Sequence, residues 1–110
     1  MRIIEYLDRD AIVEDLVGES KKKILEELIK PVVLKNKDLK LKKIVDILLE
    51  REELGSTAIG DGVAIPHGKV KDLQDIIISF GRSLKGVGFD AVDGNPVHLF
   101  FALLAPEGSM

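Results

Sequence analysis

The chain has 110 residues, of which 45% are apolar and 32% are charged, and it contains no cysteine. These values are typical of a globular domain, and the absence of cysteine excludes a disulfide framework and any thiolate metal site. Its apolar runs stay well below the roughly 18 to 20 residues that span a bilayer, and its N-terminus lacks a signal-peptide pattern. We therefore expect a single domain over residues 1–110, located in the cytoplasm and without insertion into a membrane.

The net charge of −3 gives no general reason to expect nucleic-acid binding. Two basic clusters stand out against this background, at residues 21–23 and 40–43. Each cluster fits either the solvated face of a helix or a local binding patch, and the sequence leaves both interpretations open.

The first part of the chain predicts a strand and then a helix. Residues 8–10 read as a turn between two short apolar segments, and the second segment, residues 11–16, is typical of a strand. Ser20 is a suitable N-cap for the helix that follows. Pro31 predicts that this helix ends or kinks near Lys30, because proline removes one backbone donor and clashes with the preceding turn.

The second helix has the clearest amphipathic pattern. Asp38 is placed to cap it and Gly55 to end it. Its apolar residues recur at i, i+3, i+4, i+7 and i+8, namely Leu41, Ile44, Val45, Leu48 and Leu49. At about 100° per residue, Arg51 lies near the edge of this stripe. Its guanidinium either covers apolar surface or reaches over the rim of the core toward a site.

From residue 56 onward the pattern favours strands and turns. Residues 57–59 and 63–65 flank a Gly-Asp-Gly turn, and residues 93–96 form another turn. Residues 76–80 and 97–104 are β-branched, aromatic or continuously apolar, which indicates strands buried on both faces. Helices followed by such strands predict an α/β layered sandwich.

This architecture leaves one face of the sheet without cover. Two helices cannot shield both faces, and the sequence ends shortly after its most apolar strand. We expect the second face to be covered in one of two ways. The cover is either another copy of the chain or a C-terminal helical segment that this sequence does not include.

His67 is the residue best placed for covalent chemistry. Pro66 fixes its own φ and favours an extended residue before it, and Gly68 leaves space where a partner must approach. A neutral imidazole is available near neutral pH as a nucleophile or base. The sequence has no metal-ligand spacing, serine-nucleophile motif or phosphate-binding loop. We therefore expect no metal and no cofactor, and we interpret His67 as a nucleophile.

The segment from Arg51 to Gly68, REELGSTAIGDGVAIPHG, resembles the signature of a known family. This family is the enzyme IIA domain of the bacterial phosphoenolpyruvate-dependent phosphotransferase system, of the fructose/mannitol/nitrogen-regulatory type. The resemblance continues through residues 80–83, 88–90, 93–99 and 101–106, and so spans nearly the whole chain. It implies a three-layer α/β/α sandwich with a mixed sheet of about five strands, here with the C-terminal helical cover missing.

The resemblance also implies a role for each candidate residue. His67 accepts a phosphoryl group on Nε2 from a histidine-containing phosphocarrier protein and passes it to an enzyme IIB partner. Arg51 stabilises the phosphoryl charge, for which a guanidinium offers a planar fork of donors. Further candidate binding residues are Ser56, Pro66, Gly68 and His98, although His98 also fits a strand histidine near the sheet surface.

Three functions stay open at this point. The first is a phosphoryl carrier, a phosphotransferase component rather than a free-standing enzyme, acting in sugar uptake or in nitrogen-type regulation of a target protein. The second is a non-catalytic interaction module that keeps the same fold, and the third is a structural α/β domain with an incidental Pro-His-Gly. Because monomers rarely expose large apolar patches, the uncovered face of the sheet also predicts a homo-oligomer.

Overall fold

The structure is a computed structural model that describes residues 3–71 and 73–108. Its helices are α1 (Ile3–Tyr6), α2 (Lys21–Lys35) and α3 (Leu41–Leu54). Its strands are β1 (Leu7–Val13), β2 (Ala58–Gly60), β3 (Val63–Ala64), β4 (His67–Val70), β5 (Ile77–Val87) and β6 (Val97–Pro106). Within these ranges no helix combines the length and the apolar character needed to cross a membrane.

The strands form one mixed sheet in the order β1-β5-β6-β3-β2, and β4 also pairs with β6. The central β5 and β6 are antiparallel, whereas β1 runs parallel to β5. Strands β3 and β4 both run parallel to β6 at successive positions along it, with Val63 beside Leu99 and His67 beside Leu103. The mixed α/β fold is confirmed. The five strands of the path β1-β5-β6-β3-β2 agree with the predicted number of about five, and β4 is a short sixth strand that residues 65 and 66 separate from β3.

Helices α2 and α3 pack on the same face of the sheet and form the core with it. The core combines apolar residues of both helices with alternate residues of the strands, including Leu25, Leu28, Ile44, Leu48, Ala64, Phe100, Ala102 and Leu104. On the other face, Phe80 and Phe101 pair across β5 and β6 with their ring centroids 4.9 Å apart, and both stay partly exposed. The expectation that β6 is buried on both faces is therefore wrong, because its buried residues alternate with partly exposed ones.

Two helix boundaries differ from the predicted ones. Ser20 caps α2 as predicted, since its Oγ accepts the N–H of Lys23 at 3.2 Å. The helix does not end at Pro31, however, but continues to Lys35, because Ile29 and Val32 are both buried in the core and packing outweighs one lost hydrogen bond.

Helix α3 begins later than predicted and ends where expected. Its N-cap is Lys40, without a side-chain hydrogen bond, so the prediction that Asp38 caps it is wrong. Gly55 ends it at φ 152°, with its N–H bonded to the carbonyl of Glu52 at 3.1 Å.

Strand β1 contains the residues that were expected to form a turn. Residues 8–10 lie inside β1, and the strand stops at Val13 rather than near residue 16. The pairing register with β5 shifts between Leu7 and Ile12, which lie opposite Ile78 and Phe80. The polar residues are accommodated by this irregularity and not by a chain reversal.

Candidate functional site

His67 is the first residue of β4 and is exposed. Its neighbour across the ladder is Leu103 of β6. The next residue, Gly68, faces helix α3, since a Cβ built on it would lie 2.6 Å from Cγ2 of Ile47. Because side chains alternate along a strand, the imidazole of His67 leaves the sheet on the face opposite the helices.

One hydrogen bond determines which imidazole nitrogen is available. Nδ1 of His67 lies 2.8 Å from the carbonyl oxygen of Ile65. A carbonyl oxygen can only accept, so Nδ1 must carry the proton. In the neutral ring this contact selects the tautomer with an unprotonated Nε2, and Nε2 has no hydrogen-bond partner in the part of the chain that the structure describes. The ring therefore presents a free lone pair to solvent.

The backbone before His67 is held from both sides. The N–H of Ile65 donates to the carbonyl of Thr57 at 3.0 Å, and the N–H of Leu103 donates to the carbonyl of Pro66 at 2.8 Å. The side chain of Pro66 is buried. These contacts fix the peptide groups of Ile65 and Pro66, and so determine the direction in which the imidazole of His67 projects.

Arg51 lies in the last turn of α3 and is half-buried. Its Nη1 donates to the carbonyl of Gly55 at 2.8 Å, beyond the helix end. Across residues 3–71 and 73–108 the structure shows no hydrogen bond between Arg51 and His67. Arg51 therefore lies at the edge of the apolar stripe of α3, where its position in the sequence places it. One of its five N–H donors is used by Gly55, and the others have no partner among the described residues.

Ser56 links the end of α3 to the loop before β6. Its hydroxyl donates to the carbonyl of Phe89, and its Oγ accepts the N–H of Ala58 at 3.0 Å. A similar link lies nearby, where the N–H groups of Asn95 and Asp61 donate to the carboxylate of Asp93 and lower the pKa of that group. The Gly-Asp-Gly turn and the loop are thus tied together.

His98 lies apart from His67. Its Nδ1 donates to the carbonyl of Ser83 at 2.8 Å, and its ring covers Gly86. It stands five residues before Leu103, the partner of His67, which is about 16 Å along a strand at roughly 3.3 Å per residue. The structure therefore does not bring the two histidines together, and among the described residues no group of three acidic or histidine side chains is placed to hold a metal.

Residues 5–110 match the family described as phosphoenolpyruvate-dependent sugar phosphotransferase system, EIIA 2. The chain belongs to this family. The nitrogen regulatory protein of Bradyrhizobium diazoefficiens is 43% identical to this EIIA domain in an alignment of 110 positions that covers 99% of this chain and 71% of that protein. The predicted membership of the fructose/mannitol/nitrogen type is confirmed.

Solved structures agree with this assignment. The nitrogen regulatory protein IIA-Ntr from Neisseria meningitidis has a TM-score of 0.88 and 41% identity, over 97% of this chain and 73% of that chain. A chain in the complex of enzyme IIAMTL and phosphorylated enzyme IIBMTL from Escherichia coli has a TM-score of 0.76 and 21% identity, over 93% of this chain and 72% of that chain. At this lower identity the likeness concerns the fold alone.

The structure of this EIIA domain also reveals a charged cluster that the sequence reasoning missed. Glu52 of α3 is only 6% exposed, and its carboxylate accepts from Thr57 and from Nζ of Lys21, the latter at 3.1 Å. Nζ of Lys21 also lies 3.1 Å from Asp90. Burial favours a lower pKa for Lys21, but the hydrogen bonds and charges of Asp90 and Glu52 outweigh it and raise that pKa.

A signal for this cluster was present in the sequence. Glu52 follows Val45 and Leu48 by seven and four residues, so it continues the buried stripe of α3. A carboxylate on such a stripe must find partners in the interior, because an unpaired buried charge is strongly destabilising.

The packing at Gly68 can be tested by adding one methyl group. Gly68→Ala places a Cβ 2.6 Å from Ile47, so the substitution should lower the free energy of unfolding by about 1–3 kcal/mol. Gly88→Ala is the matched control, because no atom beyond Gly88 and its two chain neighbours lies within 4 Å of its Cβ position. Urea unfolding of both variants measures the difference, and equal stabilities would contradict the close approach of α3 to β4.

Proposed function

We propose that this EIIA domain carries a phosphoryl group on Nε2 of His67. It accepts the group from a histidine-containing phosphocarrier protein and passes it to an enzyme IIB partner, in the cytoplasm. The observation that carries the proposal is the hydrogen bond from Nδ1 to the carbonyl of Ile65, because it leaves Nε2 unprotonated on an exposed ring. The Escherichia coli structure that shares this fold is itself a complex with phosphorylated enzyme IIB.

The transfer needs little beyond position and charge. The lone pair on Nε2 attacks phosphorus in line while the bond from phosphorus to the donor imidazole nitrogen breaks. Nδ1 keeps its proton throughout, so the phosphorylated ring gains positive charge. The Ile65 carbonyl stabilises that charge because it accepts a hydrogen bond from Nδ1–H. In the second transfer a nucleophile of enzyme IIB attacks phosphorus in line, the bond from phosphorus to Nε2 breaks, and His67 returns to the neutral Nδ1–H tautomer.

Arg51 is the proposed source of charge for the phosphoryl oxygens. Its guanidinium uses one donor for the carbonyl of Gly55, and its other N–H groups can bind two phosphoryl oxygens at once. Lys21 is unsuitable for this role, since its ammonium group is already paired with Glu52 and Asp90.

The identity to the Bradyrhizobium diazoefficiens nitrogen regulatory protein favours regulation over sugar uptake. In the regulatory use, the phosphorylation state of His67 controls binding to a target protein. Ser56, Pro66 and Gly68 serve this site by shaping its backbone, while His98 lies at a distance from it and has no role in the proposed transfer.

Phosphorylation of His67 is tested with phosphoenolpyruvate, enzyme I and the histidine phosphocarrier. We expect one acid-labile phosphate, seen as a single added mass under non-acidic conditions, and no added mass for His67→Ala. His98→Gln should keep the label, because Nδ1 of His98 is bonded to Ser83 far from the site. A folded wild-type protein that takes up no phosphate would favour the non-catalytic interaction module instead.

The role of Arg51 predicts a slower reaction in the same assay. Arg51→Ala should lower the rate of labelling by roughly 10²-fold, a typical loss for one oriented donor to a developing charge. Arg51→Lys should recover the rate only in part, because an ammonium is a point charge without the planar fork. Lys42→Ala, an exposed position on the same helix, is the control, and an equal effect of both alanine substitutions would contradict the assignment.

We further propose that two copies of the chain associate through the face of the sheet that lies opposite α2 and α3. This open face consists of Ile12, Phe80, Leu99, Phe101 and Leu103, of which Ile12 is 40% exposed and the others are half-buried. A twofold interface brings the same patch of both copies together, so an apolar patch meets another apolar patch there and both are removed from water. A second copy of the chain can therefore cover this open face with the same five residues.

Association is tested by sedimentation at tens of micromolar protein, where we expect a dimer. Phe101→Lys should give a monomer, because it places a charge at the centre of the open face. Val92→Lys, at an apolar residue that is 90% exposed in the loop before β6, should leave the dimer intact. A monomeric wild-type protein would rule out this interface.

A further inference from the structure

We infer that Glu52 is a positioning residue for His67, which it reaches through Thr57 and Ile65. The functional consequence of this inference rests on the proposed phosphoryl transfer, whereas the contacts that connect Glu52 to His67 do not depend on it. Glu52 does not touch the imidazole or any reacting atom. Its effect passes through backbone hydrogen bonds that set the orientation of the ring.

The chain of contacts begins at the buried carboxylate. Both oxygens of Glu52 lie 3.2 Å from the N–H of Thr57, and Oε1 also accepts the hydroxyl of Thr57. Oε2 accepts from Nζ of Lys21 at 3.1 Å. Two groups of Thr57 are therefore bound to one carboxylate that is itself packed inside the core.

The chain continues from Thr57 to the imidazole. The carbonyl of Thr57 accepts the N–H of Ile65 at 3.0 Å, and the carbonyl of Ile65 accepts Nδ1–H of His67 at 2.8 Å. The acceptor that selects the tautomer of His67 thus belongs to a residue that Thr57 holds. Thr57 in turn has its N–H and hydroxyl directed by Glu52.

The carboxylate is the chemical group that this arrangement needs. It accepts from three donors: the N–H of Thr57, the hydroxyl of Thr57 and the ammonium of Lys21. A glutamine at this position has only one acceptor oxygen, so its NH₂ group would face donors and at least one contact would be lost. The resulting shift of Thr57 would move the Ile65 peptide group and loosen its bond to Nδ1.

The experiment measures the tautomer of His67 directly in the unphosphorylated protein, by ¹⁵N NMR of the imidazole. We expect the wild type to hold mainly the Nδ1–H tautomer. Glu52→Gln should raise the minor Nε2–H fraction several-fold and slow phosphorylation by roughly 10-fold, because misplaced reacting groups lose rate steeply. Glu53→Gln, at the exposed next residue of the same helix, should leave both quantities at the wild-type values.

Thr57 supplies variants that separate positioning from stability. Thr57→Val removes the hydroxyl with little change of shape and should shift the tautomer in the same direction as Glu52→Gln. Thr57→Ser keeps the hydroxyl and should restore the wild-type tautomer. If Glu52→Gln fails to fold, the Thr57 variants still show whether the contacts of Thr57 set the tautomer of His67.

The tautomer of His67 and the phosphate uptake together distinguish a positioning role of Glu52 from a structural one. A folded Glu52→Gln protein with lowered stability but a wild-type tautomer would mean that Glu52 is structural only, and the inference would be overturned. A shifted tautomer together with no phosphate uptake by the wild type would support the positioning role and refute the proposed function. A shifted tautomer with slowed uptake would support both.

Discussion

The close contact between helix α3 and strand β4 is the constraint on which the site depends. Gly68 has no side chain, and Ile47 and Leu48 of the helix occupy the space that a Cβ would need. The helix can therefore lie against the backbone of the strand that begins at His67. Both ends of the proposed reaction site, the imidazole on β4 and the guanidinium at the end of α3, take their positions from this one contact.

A second constraint acts through charge. Lys21 of α2, Glu52 of α3 and Asp90 of the loop before β6 form one connected group, and Nζ of Lys21 also lies 5.2 Å from the centre of the Phe89 ring. The cluster joins three separate parts of the chain near the C-terminal end of α3. Only Glu52 of this cluster is buried, so loss of Lys21 would leave its carboxylate without a compensating charge, whereas the Asp90 side chain is 84% exposed and contributes little. In the proposed phosphoryl transfer, the Lys21–Glu52 pair would help the site to keep its geometry while partners bind and leave.

Much of the fold could be predicted from local pattern. The stripe of α3, the cap at Ser20, the end at Gly55 and the hairpin around the Gly-Asp-Gly turn all depend on nearby residues, and all are present. The failures have tertiary causes. Helix α2 continues past Pro31 because buried residues on both sides of the proline hold it in the core. The apolar sequence of β6 predicted burial on both faces, but the apolar residues on the face opposite α2 and α3 stay partly exposed.

The sequence could name the candidate residues of the proposed site but not their contacts. His67 stood out because of its flanking proline and glycine, and the proposal that Nε2 is its reactive nitrogen depends on a hydrogen bond between residues only two apart. The link from Glu52 through Thr57 to Ile65 was not evident. It joins a helix to a strand, and only the folded chain shows that Thr57 carries both contacts.

The break between β3 and β4 has a consequence for how partners reach this domain. Pro66 has no N–H to donate, and its carbonyl is bound by Leu103. The imidazole that follows projects from the same side of the sheet as Leu103 and Phe101. Chemical access and apolar contact thus share one surface. A second copy on that surface, as proposed, would therefore also lie beside His67 and would border the path of the proposed phosphoryl transfer.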